Sequence, residues 1–168
     1  MYKQELNKKG ELGGIIVLEG HNAQYKQAET FEKSSLMGFK NIVFEDADLL
    51  KNHRGFEAVC KLQEQQKATY SLLYDYFLFP THKDDGTLED LLQKILHEPK
   101  NEWLNCAKNY YDCLAKNGKY YDKKTQWDIF TGNIIQDKKL DFSDTTTWFI
   151  DENPYLKPLI EFLNKFFK

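Results

Sequence analysis

Long apolar runs are missing from this sequence: no segment approaches the roughly 20 apolar residues that a helix needs to cross a bilayer. The amino terminus, Met1-Tyr2-Lys3-Gln4-Glu5, also lacks the apolar core of a signal peptide. Both absences point to a cytosolic protein with no membrane association. Cysteine is scarce. Cys60, Cys106 and Cys113 are odd in number and none forms the close pair of a zinc ribbon or redox motif, which excludes a disulfide framework. They read as buried thiols in a reducing compartment, with Cys106 and Cys113 core-facing. An excess of basic charge is absent too. With a formal net charge of −3 and a pI near 5.8, the chain has no overall field that would hold a polyanion, so nucleic acid would need a local patch, metal ions or a partner. His21, His53, His82 and His97 are scattered, with no pair at metal-ligand spacing; only His82, beside Asp84-Asp85, merits a test. There is no nucleophile elbow, no glycine-rich phosphate loop and no internal repeat.

What is present suffices for one well-buried core. The chain has 168 residues, 41% of them hydrophobic, which is enough for one domain and too little for two. It divides into an α/β core over residues 1–98 and a helical region over residues 99–168 packed on the same domain. Aromatics fall mostly at periodic positions, which favours core packing over base stacking.

The organising stretch is Asn41-Ile42-Val43-Phe44-Glu45-Asp46-Ala47-Asp48. A short β-branched and aromatic run flanked by helical patterns reads as a buried parallel strand with acids at its carboxyl end. Alternation along a strand would place Asp46 and Asp48 on one face and Glu45 on the other. Side-by-side carboxylates repel unless a cation lies between them, and a hard ion such as Mg²⁺ or Mn²⁺ suits them; the alternative is that both acids simply end the strand in solvent.

Two more strands are expected, Ile15 to Leu18, leading to Glu19-Gly20, and Tyr70 to Phe79, ended by Pro80. Gln24 to Leu36 reads as a helix capped by Gly38, and a second helix carries Phe56, Val59, Cys60 and Leu62. Residues 81–86 read as a turn. Thr87 then opens a helix whose Leu88, Leu91, Leu92, Ile95 and Leu96 form one stripe toward the sheet. Thr87 and Asp90 have capping-box spacing, so Asp90 reads as a cap, whereas Glu89 is an acid that no cap requires. Three further helices are expected: one over Trp103 to Leu114, a short one around Trp127 to Phe130, and one opened by Asn153-Pro154. Pro158 must lie in the first turn of the last helix or delay its start.

Taken together, Phe44-Glu45-Asp46-Ala47-Asp48, Phe77-Leu78-Phe79-Pro80 and Gly86-Thr87-Leu88-Glu89-Asp90-Leu91-Leu92 resemble the Toprim-like fold. More narrowly they resemble an uncharacterised bacterial Toprim-related family, a likeness continued by Asn105-Cys106, Tyr111-Asp112-Cys113-Leu114, Lys124-Thr125 and Trp148 to Leu163. The resemblance implies a mostly parallel sheet flanked by helices, with a helical C-terminal appendage. It also implies Mg²⁺- or Mn²⁺-dependent phosphoryl transfer or nuclease activity on nucleic acid. Asp46, Asp48 and Glu89 would be metal ligands, Glu19 or Glu89 would complete the shell or act as base, and Lys124 would steady phosphate charge. The plain reading of Lys124 is a solvated lysine. Toprim domains place two strand-helix units before the Asp-x-Asp strand and this chain has room for one. Either Glu19 takes the first-strand role, or the unit is absent and a partner or a second copy covers the exposed edge. The alternative function is a non-catalytic binding or regulatory module beside an ATPase in a bacterial phage-defence system. A two-component phosphoacceptor is a third reading, weakened by the helical tail.

Overall fold

The computed structural model describes residues 4–8, 11–15, 23–48, 54–97, 100–134 and 152–166. Within them the chain is mixed α/β, with two small sheets. Strands β1 (Gln4–Lys8) and β2 (Glu11–Ile15) form an antiparallel pair in the register Gln4↔Ile15 to Lys8↔Glu11. After a 3₁₀ turn (Ala23–Gln27) come α1 (Ala28–Leu36), β3 (Ile42–Asp46), α2 (Phe56–Tyr70) and β4 (Asp75–Phe79). β3 and β4 are parallel, from Ile42↔Asp75 to Asp46↔Phe79. Helices α3 (Leu88–Ile95), α4 (Lys100–Lys116), α5 (Lys123–Ile129) and α6 (Lys157–Leu163) complete the described chain.

The parallel pair carries apolar side chains on both faces, which is why its strands read as unbroken apolar runs; Phe77 of β4 is fully buried, while Phe44 of β3 remains 45% exposed. On one face Val43 packs with Phe31 of α1, while Leu78 and Ala47 pack with Val59 of α2. The other face is aromatic: Phe44, Phe77 and Phe79 lie within ring-contact distance of one another, and Phe162 of α6 sits 5.4 Å from Phe77. Asn41 fixes the start of β3, since its side-chain amide reaches the Phe31 carbonyl, the Ser35 hydroxyl and the Leu73 carbonyl, each at 3.0 Å. One polar side chain thereby ties the end of α1 to the approach to β4.

Helix ends follow their sequence signals. Gly38, at φ +83°, lets its own N–H reach the Ser35 carbonyl and the Phe39 N–H reach that of Ser34, a Schellman stop for α1. Pro158 sits in the first turn of α6, after a 3₁₀ turn (Pro154–Leu156) that Asn153 caps.

Four expectations need correction. The polar lead-in is a strand, β1, paired antiparallel with β2 over Glu11–Ile15; of the strand expected over Ile15 to Leu18, residues 16–18 lie outside the described residues. Alternation between Leu6 and its polar neighbours was too weak to separate a strand from a tail. Tyr70 closes α2 instead of opening a strand, and Ser71 turns the chain in the left-handed region, so β4 starts at Asp75. Finally, the α3 stripe faces the C-terminal helices: Leu91 and Ile95 are buried with Leu104, Ala107, Tyr111, Trp127 and Phe130, and the sheet adds Phe79 at the margin. The same helix-on-helix core turns the outer side of α4 to solvent, which leaves Cys106 and Cys113 exposed rather than core-facing.

Leu91 is 2% exposed at the centre of this cluster. Leu91→Ala is expected to destabilise the protein by about 3 kcal/mol, through lost burial plus the cavity left behind. Urea unfolding measures this, and a loss under about 0.5 kcal/mol would place the stripe in solvent.

Candidate functional site

The carboxyl ends of β3 and β4 meet the N-termini of α2 and α3, and backbone bonds close the junction. The Ala47 N–H donates to the Phe79 carbonyl at 3.0 Å, and Asp48 and Gly86 exchange N–H to carbonyl bonds at 2.8 Å each way. Asp48 has φ +61°, a left-handed conformation that Asp tolerates better than most residues. Gly86 is required. Its φ is +144°, and an added Cβ would stand 2.9 Å from the Asp90 carboxylate and 3.1 Å from Pro80. The Phe79-Pro80 peptide is cis.

The left-handed turn at Asp48 overturns the expected alternation. Asp46 leaves β3 toward α3, where its Oδ1 accepts from the Leu88 N–H at 2.7 Å and so caps the helix. Asp48 instead joins Glu45. Arg54 donates from a terminal nitrogen to Glu45 Oε1 at 2.7 Å and holds its Nε 3.0 Å from Asp48 Oδ2, with all three side chains largely buried. Glu45 also accepts from Gln24 and from Gln63, whose own Oε1 accepts from the Tyr74 hydroxyl at 2.8 Å. A buried carboxylate is thus satisfied by a guanidinium and two amides.

The neighbouring acids serve the backbone. Asp85 accepts from the Phe56 N–H at 2.7 Å, the N-terminus of α2, and Asp84 accepts from the Thr81 hydroxyl. Asp90 accepts from the Thr87 N–H at 3.0 Å, as its spacing implies, and also pairs with Lys123. Glu89 lies in the first turn of α3, close enough for its charge to act on Asp46. Lys124 is exposed on α5 beside Asp122, and it is Lys123, not Lys124, that reaches the acids. Glu19 lies outside the described residues. Among the described residues no group of three or more His, Cys, Asp or Glu side chains is arranged to hold a metal ion.

Arg54 and Lys123 are the site residues that sequence reasoning passed over. Arg54 belongs to the polar stretch Lys51-Asn52-His53-Arg54-Gly55 that leads into α2. Its signal was Gly55, whose φ of +109° and bond to the Ala47 carbonyl at 3.0 Å fold the segment back onto the strand end. His82 belongs to the aromatic layer. Its Nδ1 accepts from the Leu78 N–H at 3.1 Å and its ring stacks 5.1 Å from Phe77. Burial, and next the nearby Lys165, hold its pKa below the ordinary histidine range, so it acts as a neutral structural residue.

Beside this junction lies a cleft of about 240 Å³ between Pro80, Leu91, Lys94, Lys123 and Tyr155. No protein-family model, no curated protein and no solved structure matches the chain.

Asp46 titrates unusually. Burial pushes its pKa up to about 6, the bond from the Leu88 N–H opposes the rise, and the charges of Glu89, Asp48 and Glu45 add to it. A folded-state pKa above the unfolded value of roughly 3.9 favours folding fully at low pH and loses that contribution as pH rises through about 6. Asp46→Asn keeps an acceptor for Leu88 and removes the charge. The variant is therefore expected to be more stable than wild type by about 1 kcal/mol at neutral pH, a figure reduced for partial solvent exposure. The gain should vanish below about pH 4. Paired urea titrations across pH check this, and the comparison cancels the opposite effect of His82. A constant difference at all pH values would contradict the assigned titration.

Proposed function

We propose that this chain is a non-catalytic Toprim-like binding or regulatory module that works beside a partner, an ATPase by the resemblance, in place of acting alone as a metal-dependent nuclease. One observation carries the reading: Arg54 stands between Glu45 and Asp48, where the enzyme reading would call for a cation near Asp48. An internal guanidinium, hydrogen-bonded to Glu45 and in charge contact with Asp48, neutralises these acids without recruiting an ion from solution, and it would have to be displaced before Asp48 could turn to a metal. Asp46 and Asp85 are engaged by backbone N–H groups at the N-termini of α3 and α2. These residues, as they stand, do not fit a Mg²⁺ or Mn²⁺ shell.

A second reading keeps the metal-dependent phosphoryl-transfer enzyme, and Asp46 favours it. Its carboxylate is crowded by Glu89, Asp48 and Glu45, which is the electrostatic condition that a divalent ion relieves. That reading needs Glu19 or a partner's residue to complete the shell.

The two readings part in a thermal melt. Wild type is expected to melt at the same temperature in millimolar Mg²⁺, in Mn²⁺ and in EDTA. Arg54→Gln is expected to be less stable and to gain a Mn²⁺ response, because removing the guanidinium leaves two adjacent buried carboxylates in need of a cation. Wild-type stabilisation by Mn²⁺ that disappears in both Asp46→Asn and Asp48→Asn would instead support the enzyme. A ligand at one hundred times its Kd adds about 2.7 kcal/mol, well within reach of the measurement.

A further inference from the structure

The turn between α4 and α5 differs in composition from the rest of the chain. Residues 108–124 hold five lysines against two aspartates, in a chain whose formal net charge is −3. Lys116, Lys119 and Lys124 are exposed, Lys108 is half-buried, and Lys123 is turned onto Asp90. Asp122 caps α5, accepting from the Thr125 N–H at 2.7 Å, and keeps its charge. With Lys123 paired to Asp90, the other four lysines still outnumber the two aspartates, so this surface is net positive.

The same surface presents tyrosine rings. Tyr120 is 80% exposed, Tyr110 59% and Tyr121 41%. Backbone bonds order the turn on either side of Tyr120. Gly118, at φ +77°, ends α4 with bonds from its own N–H to the Ala115 carbonyl and from the Lys119 N–H to that of Leu114. The Gln126 amide holds the Tyr121 carbonyl at 2.8 Å. Buried Tyr111 then stands between the outer rings, 5.6 Å from Tyr110 and 5.9 Å from Tyr121 by ring centroids. Rings with fixed backbones, interleaved with solvated ammonium groups, are the chemistry that holds unpaired bases and their phosphates. A duplex hides its base faces and would use the lysines alone.

We infer that the α4–α5 turn is a binding surface for single-stranded nucleic acid, with Tyr110, Tyr120 and Tyr121 stacking bases and Lys116, Lys119 and Lys124 pairing with phosphates. The strand runs toward the cleft beside β4, to which Lys123 belongs. At that end Lys123 pairs with Asp90, and Lys94 lines the cleft together with Asp84 and Asp85. The inference rests on this surface alone and is independent of whether the strand-end carboxylates bind metal.

The test is fluorescence anisotropy of the full chain with a labelled thymidine oligonucleotide of about 20 nucleotides, titrated at several salt concentrations. Binding is expected in the micromolar range at low salt. Tyr120→Ala, at a fully solvated position, is expected to weaken it about tenfold without changing the melting temperature. Lys116→Gln combined with Lys119→Gln is expected to reduce the slope of log K against log salt by about 1.4, two phosphate contacts at ~0.7 each. Absence of binding at about 50 mM salt and ~100 μM protein overturns the proposal. So does an unchanged affinity in Tyr120→Ala, or competition by heparin or duplex as effective as by the unlabelled oligonucleotide, since either means charge alone is being read.

Discussion

The Glu45–Arg54–Asp48 bridge is the constraint on which the carboxyl end of the sheet depends. Glu45 is buried because its strand position faces α2, and a buried carboxylate must be paired or lose its charge. Arg54 supplies the charge and Gln63 and Gln24 supply amides. To deliver the guanidinium, the chain after β3 has to double back, and it does so through the left-handed Asp48 and through Gly55. Once Asp48 has turned to Arg54, its backbone is free to exchange bonds with Gly86. That exchange places the N-terminus of α3 over Asp46. Breaking one partner of such a set is costly because it leaves an uncompensated buried charge.

From that junction the molecule extends in two directions with different chemistry. Toward α1 and α2 the sheet is backed by aliphatic and aromatic contacts around Val43, Leu78 and Val59. Toward α3 a separate core of Leu91, Ile95, Tyr111 and Trp127 carries the C-terminal helices. α3 is the hinge of this arrangement. Its first turn holds Asp90, which pairs with Lys123 of α5, and the Lys94 carbonyl in its last turn accepts from Asn153. The strand-end acids and the tyrosine-lysine surface are thus coupled through one short helix whose two ends are both tied to the C-terminal region.

Much of the fold was legible where periodicity was strong and both neighbours agreed. Ile42-Val43-Phe44, the apolar half of β4, the Leu91 and Ile95 part of the α3 stripe and the glycine stop at Gly38 follow from local rules. The misreadings have physical causes. The β1–β2 hairpin carries few apolar residues, so its pattern was faint. The apolar content of Leu72-Leu73-Tyr74 extended the strand reading backwards over the end of α2. The cysteines of α4 were placed in a core because thiols usually are, but Leu104, Ala107 and Tyr111 define the buried face instead. At the site, Asp90 as a cap was readable from spacing alone. The role of Arg54 was not, because a buried ion pair depends on where a loop returns in space, and neither Asp48 nor Arg54 carries a periodic signal. A strict period of two assumed that β3 continued through Asp48, whereas the strand ends at Asp46.

The central claim is that Arg54 and Asp48 are coupled within the folded protein and that this pair holds the strand-end acids in their observed places. A double-mutant cycle by urea unfolding at neutral pH tests it most directly, using wild type, Arg54→Gln, Asp48→Asn and the double variant. The account predicts a coupling of about 1–3 kcal/mol, with the double variant more stable than the two single losses would sum to. A coupling within about 0.3 kcal/mol of zero would contradict it and leave the Asp48 carboxylate available to another cation.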